Sequence, residues 1–154
     1  MTGKRRTIVS TDLLQLIGNT PLVELPRLSP KPAVRLFAKL EGQNPTGSVK
    51  DRIVRRMVEK AEGRGDLTPG STIVEASSGN TAIALAMIGK QRGYRIRVVI
   101  PHDVAPSIGD ILALYDIDVT WCPSEGGMKS AIDLARDMAK TGGFYYLDQF
   151  DDQE

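Results

Sequence analysis

From residue 34 onward, short β-branched runs alternate with longer stretches of helical period, and this alternation is what most narrows the folds open to the chain. Strands that alternate with helices of ten or more residues build βαβ units, and βαβ units build a parallel sheet. The runs Val34–Leu40, Ser71–Glu75, Arg95–Ile100, Ile117–Trp121 and Phe144–Leu147 read as strands. Between them, Val49, Ile53, Val54, Met57, Val58 and Ala61 recur at helical spacing, as do Met128, Ala131, Ile132, Leu134, Ala135 and Met138. The segment Thr81–Arg92 is nearly all apolar and reads as a buried helix, and Ile108–Tyr115 reads as a short one. The expected fold is α/β: an open, mostly parallel, twisted sheet with helices on both faces.

Residues 1–33 do not fit this scheme. Leu13–Leu16, the run Thr20-Pro21-Leu22-Val23 and the prolines at 26, 30 and 32 form no βαβ unit, so this stretch reads as an arm that packs elsewhere. The expected organisation is an arm over 1–33, a βαβ domain over 34–150, and the start of a second domain at 151–154.

With 154 residues, one core is the natural reading, because a chain of about 150 residues buries roughly 70% of its unfolded surface. A formal charge of +1 gives no field to gather nucleic acid or an anionic membrane, so a small-molecule partner is favoured. The basic cluster Lys4-Arg5-Arg6 leads into no signal-peptide core, and no apolar run reaches the length of a membrane span. Cytoplasmic residence follows as the expectation. One cysteine, Cys122, and one histidine, His102, argue against a disulfide and against a metal site. Cys122 reads as a small buried hydrophobe and His102 as a loop histidine.

In a parallel α/β sheet, ligands bind outside the carboxyl ends of the strands, which directs attention to the strand-to-helix loops. The first runs Glu41-Gly42-Gln43-Asn44-Pro45-Thr46-Gly47-Ser48-Val49 into Lys50, which falls on the first helical turn. A cation there is opposed by the helix dipole, a setting that suits an amine destined for imine chemistry. Taken alone, Lys50 reads as a solvated charge paired with Asp51; the neighbouring motif changes that reading. The second loop, Glu75-Ala76-Ser77-Ser78-Gly79-Asn80-Thr81, sets hydroxyls, a glycine and an amide at the start of the buried helix. Such a loop is either a plain helix cap or a cradle for carboxylate or phosphate. Neither the dinucleotide nor the NTP-binding glycine fingerprint occurs.

Four motifs in order, Ile17-Gly18-Asn19-Thr20-Pro21-Leu22, Lys39-Leu40-Glu41, Asn44 through Arg52, and Ser77-Ser78-Gly79-Asn80-Thr81, resemble the cysteine synthase / cystathionine β-synthase family of fold-type II pyridoxal-phosphate enzymes. The runs Ala84–Ile88, Gly126-Gly127-Met128 and Leu147-Asp148-Gln149-Phe150 are closer to its B branch. Ser77 stands where relatives usually carry Thr, and Ala82 where they carry Gly. Where many relatives show an Arg-Arg pair after the third strand, this chain reads Ser107-Ile108-Gly109-Asp110-Ile111.

The resemblance implies the N-terminal half of a tryptophan synthase β-like fold, in a family whose members run to about twice this length and pair as homodimers. It implies that Lys50 holds pyridoxal 5′-phosphate, that Asn80 contacts the cofactor ring oxygen, and that Ser77, Ser78, Gly79, Asn80 and Thr81, with Gln149, bind the substrate α-carboxylate. The implied reaction is β-replacement on O-acetylserine or O-phosphoserine by sulfide or thiosulfate, giving cysteine. The glycine- and threonine-rich loop for the cofactor phosphate is not found in the sequence. A second reading is therefore a catalytically silent domain that binds carboxylate ligands or a peptide C-terminus through residues 77–81. A flavodoxin-like regulatory domain fits the βαβ pattern but not the ordered motifs.

Overall fold

The computed structural model describes residues 9–31, 33–104 and 106–149; the Lys4-Arg5-Arg6 cluster, Phe150 and the expected second-domain start at 151–154 lie outside them. Six strands and four α-helices follow one another: β1 (Leu22–Glu24), β2 (Phe37–Lys39), α1 (Lys50–Arg64), β3 (Thr72–Ala76), α2 (Asn80–Arg92), β4 (Arg95–Pro101), α3 (Pro106–Leu114), β5 (Asp118–Cys122), α4 (Gly127–Lys140) and β6 (Tyr145–Tyr146). Among the described residues no helix is long and apolar enough to cross a membrane.

The main sheet has the order β5-β4-β3-β6, with every neighbouring pair parallel. Its helices divide between two faces, as expected. On one face α2 covers Ile73, Val98 and Ile100, with α1 packed against α2. On the other, Ala131 and Ala135 of α4 meet Val74, Ala76, Val99 and Cys122. β3 and β4 carry apolar residues on both sides, Glu75, Arg95 and Arg97 apart, because both faces are covered, as a parallel sheet requires. The same logic explains α2, whose run from Ala84 to Gly89 is buried without a break.

Two glycines end helices. Gly65 and Gly93 adopt left-handed backbone at the C-termini of α1 and α2, with φ of 80° and 77°. Gly63, in contrast, lies within α1.

One strand departs from expectation. The run beginning at Val34 does not join the parallel sheet; Phe37–Lys39 pairs antiparallel with Leu22–Glu24 in a separate two-stranded sheet. Each of these strands is only three residues long and exposes apolar side chains, among them Leu22, Val23 and Phe37. A two-stranded ribbon buries little by itself. It is tied in at its far end, where the turn after β2 meets the residue 17–20 segment.

Candidate active site

The Lys50 loop is shaped by local hydrogen bonds. Gly47 takes φ of 84°, a left-handed turn that glycine makes without cost. Ser48 Oγ then accepts the Lys50 N–H at 3.1 Å. Asp51, fully buried on the first turn of α1, accepts from the Thr46 N–H at 2.8 Å and from the Thr46 hydroxyl. Asp51 is thus committed to the loop and is not the partner of Lys50. Lys50 is half-buried, and among the described residues its amine has no hydrogen-bond or ion-pair partner.

Behind this loop lies a polar cluster. The Glu41 carboxylate accepts from Arg52 Nε at 2.7 Å, Arg52 Nη2 at 3.1 Å, Thr20 Oγ1 at 2.7 Å and Asn44 Nδ2 at 2.8 Å. The Arg52 guanidinium, with the Thr20 and Asn44 donors, brings the Glu41 pKa down to about 2. Asn44 Oδ1 in turn accepts the Gly18 N–H at 2.8 Å. Gly18, with φ of 90°, sits where an added Cβ would meet Arg52 Nη1 at 3.0 Å. Residues 18–20 of the arm, the loop and α1 are therefore locked together through Glu41 and Arg52.

The second loop begins α2. Ser77 Oγ accepts from Gly79 N at 3.4 Å and from Ala82 N at 3.2 Å. A helix start presents four N–H groups without intrahelical acceptors, and Ser77 takes two of them. Those of Asn80 and Thr81 remain to be met from outside the helix. Ser78 and Gly79 are half-exposed and Asn80 is exposed, while Ser77 and Thr81 are buried beneath them. Beside Gly79 there is open space, since an added Cβ would touch nothing within 4 Å.

Gln149 reaches this loop from the edge strand next to β3. Because β6 pairs with β3, the chain leaving β6 runs beside the end of β3. Gln149 Oε1 accepts from Thr81 Oγ1 at 2.6 Å, and Gln149 Nε2 donates to the Ala76 carbonyl at 3.3 Å.

The two loops share one end of the domain. At the C-terminal ends of α1 and α2, Arg92 bridges Glu62 at 2.8 Å and Glu59 at 3.4 Å, and Tyr94 donates to Glu62 at 2.8 Å. The helices pack side by side and have 15 and 13 residues, about 22 and 20 Å at ~1.5 Å per residue. Their N-termini, Lys50 and Asn80, therefore lie at the opposite, common end.

The arrangement suits an aldehyde cofactor. An amine without a partner among the described residues can form an imine, the exposed Asn80 lies at the same end of the domain, and open space flanks Gly79. Cys122 and His102, for which the sequence suggests no chemical role, lie in settings that fit that reading. Cys122 is buried and burial pushes its thiol pKa up. His102 stacks on Trp121 at 5.5 Å between ring centroids.

Glu41 and Arg52 show in the sequence only as letters of a motif, and nothing local marks them as the lock between the arm, the loop and α1.

Residues 13–154 match the family model described as pyridoxal-phosphate dependent enzyme. Cysteine synthase B of Escherichia coli strain K12 is 44% identical over 142 residues, covering 92% of this chain and 47% of the relative. Among solved structures, an O-ureido-L-serine synthase superposes with a TM-score of 0.87 at 36% identity, covering 94% of this chain and 46% of that one. A cysteine synthase of Entamoeba histolytica superposes with a TM-score of 0.86 at 34% identity, covering 97% and 46%. The chain spans about half the length of the curated relatives it matches.

Proposed function

The chain belongs to the pyridoxal-phosphate dependent enzyme family, on its cysteine synthase side, and from that premise we propose that it serves β-replacement on an O-activated serine to give cysteine. In this reading Lys50 holds the cofactor and Asn80 contacts its ring oxygen. Ser77, Ser78, Gly79, Asn80, Thr81 and Gln149 receive the α-carboxylate of the amino-acid substrate. Bound at Lys50, pyridoxal phosphate supplies an electron sink for charge that develops at the substrate Cα.

The protein's own groups account for the remaining work. The free N–H groups of Asn80 and Thr81, at the positive end of α2, orient a carboxylate by charge-assisted hydrogen bonds. Lys50 Nζ, placed beside the substrate, would take the Cα proton as general base and return it once the new bond at Cβ has formed. Acetate or phosphate would leave from Cβ, and sulfide would add at that carbon to give cysteine, or thiosulfate to give S-sulfocysteine. Asp51 and Glu41 hold the loop under Lys50 so that the amine keeps its place.

The observation that carries this reading is the half-buried Lys50 amine, without a partner among the described residues, at the end of the domain shared with residues 77–81. Borohydride reduction in the presence of pyridoxal phosphate, followed by peptide mapping, tests it. We expect one cofactor mass on Lys50 and its loss in Lys50→Ala. Labelling at other lysines with Lys50 unmodified counts against the assignment; carboxylate binding without labelling favours the silent-domain reading.

A further inference from the structure

A second pocket opens at the carboxyl ends of β4 and β5. His102, just past β4, and Trp121, near the end of β5, line it together with Val104, Gly109, Asp110 and Val119, around a space of about 510 Å³. That volume falls within the roughly 300–1,000 Å³ of small-molecule sites, and the carboxyl edge of a parallel sheet is where such sites form. None of its lining residues belongs to the Lys50 loop or to residues 77–81.

Three of those residues are not explained by the fold. Gly109 lies inside α3, although glycine is a poor helix former. Its backbone is not left-handed, and an added Cβ would stand 3.5 Å from Trp121 Cζ2, an ordinary contact. Sterics therefore do not demand glycine; what glycine provides is space beside the indole, into which a longer side chain would extend. Trp121, the chain's one tryptophan, is 40% exposed. His102 stacks on it with the ring planes 17° apart, which holds the indole in a set orientation. Asp110 is exposed and has no hydrogen-bond or ion-pair partner among the described residues.

Charge decides what such a pocket accepts. From Val98 to Met128 the sequence has no Lys or Arg but carries Asp103, Asp110, Asp116, Asp118 and Glu125. Asp116 and Asp118 are paired, with Lys90 and Arg97, whereas Asp110 faces the pocket without a counter-ion. An anion would be repelled by Asp110, and a neutral ligand would leave that carboxylate unused. A cation meets both walls, because an indole face attracts positive charge and a carboxylate pairs with it. Guanidinium suits this pairing better than ammonium, being planar, weakly hydrated and able to stack and to bond in a fork at once. The start of α3 opposes it with only about half an elementary charge, less than the carboxylate supplies.

We propose that this pocket binds a small organic cation of the guanidinium class, laid against the Trp121 indole and paired with the Asp110 carboxylate. The site stands apart from the Lys50 loop and does not depend on the function read there.

Because Trp121 is the sole tryptophan, its fluorescence reports on the pocket directly. The test titrates the full chain with N-ethylguanidinium at pH 8 and constant ionic strength, to about 20 mM, far below the molar range in which guanidinium unfolds proteins. The indole N–H signal in NMR spectra serves as a second readout. We expect a saturable change with a Kd in the millimolar range, and binding of N-ethylurea, the neutral analogue, that is weaker by about threefold or more. Asp110→Asn should raise the Kd by about threefold or more. Gly109→Leu should raise it by about tenfold or more, with a melting temperature no lower than wild type because leucine is the better helix former. A change that does not saturate, equal binding of N-ethylurea, or an unaltered Kd in either variant overturns the proposal. A capped Gly-Arg-Gly peptide carries the same group on a polypeptide, and its binding about tenfold more tightly than N-ethylguanidinium overturns the small-molecule occupant.

Discussion

Thr81 Oγ1 and Gln149 Oε1, 68 positions apart in sequence, lie 2.6 Å from each other across the mouth of the residue 77–81 loop. This hydrogen bond leaves the Gln149 amide and the two free N–H groups of α2 on one rim. A hydrogen bond of this kind contributes about 0.5–1.5 kcal/mol net. In Thr81→Val, a near-isosteric change, we expect roughly a 2- to 12-fold rise in the Kd for O-acetyl-L-serine. The melting temperature should fall by no more than a few degrees, at about 2–4 °C per kcal/mol, since Gln149 is only half-buried and water can replace the lost donor. A large drop in stability with no change in affinity would show that the bond serves the fold alone.

Glu41 governs the acid limb of stability. Its pKa falls from 4.5 to about 2 on folding, chiefly through Arg52 and then through Thr20 and Asn44. A depressed carboxylate contributes stability that is present above its unfolded pKa and is lost as pH falls through the folded one. We therefore expect the melting temperature to decline between pH 4.5 and 2, and to decline less in Glu41→Gln. The variant should be less stable than wild type at pH 7, with the gap closing toward pH 2. Parallel wild-type and variant curves would remove Glu41 from this role.

Glu75 acts with the opposite sign. Its folded pKa of about 8 exceeds the ordinary 4.5, so the folded chain binds a proton that the unfolded chain has released throughout that window. Stability from this residue is full below pH 4.5 and is lost as pH rises through about 8. Denaturant midpoints measured from pH 5 to 9 should fall for wild type and stay flatter for Glu75→Gln. A wild-type midpoint independent of pH over that span would contradict a buried, neutral Glu75.

What the sequence revealed, and what it hid, follows from where each kind of information resides. The burial of α2 is written in consecutive residues from Ala84 to Gly89, so local pattern suffices. Lys50 on a first helical turn is equally local, because Pro45, Gly47 and Ser48 break the chain just before an amphipathic run. The pairing of Phe37–Lys39 with Leu22–Glu24 is different. Both strands are short and share their apolar character with the strands of the main sheet, and periodicity says nothing about partners. Gln149 enters the sequence reading through the family resemblance alone, not through local pattern. Its neighbours in space follow from β6 joining the edge beside β3, which no local pattern records. Glu41 and Arg52 were lost for a third reason: charges near a loop look solvated until the donors that surround them are known.

Gly89 lies where α2 presses on β4. A Cβ built there would stand 2.3 Å from Ile96 Cδ1 and 2.6 Å from Ile96 Cγ1, well inside contact distance. Glycine within a helix gives up about 1 kcal/mol of helix propensity relative to alanine, so Gly89→Ala sets a propensity gain against overpacking of about 1–3 kcal/mol. Ile96 is nearly fully buried and branched at Cβ, which leaves it few rotamers into which to retreat. The clash should win, and we expect Gly89→Ala to lose about 1 kcal/mol in chemical denaturation. Ile96→Val removes Cδ1, the nearer of the two atoms, and by itself costs about 0.5–1.5 kcal/mol. In the double variant the cavity left by one change receives the methyl of the other, so the two losses should sum to less than their separate values. Strict additivity would show that α2 shifts away from β4 rather than meeting it, and that the close approach at Gly89 is not what sets the spacing of helix and sheet.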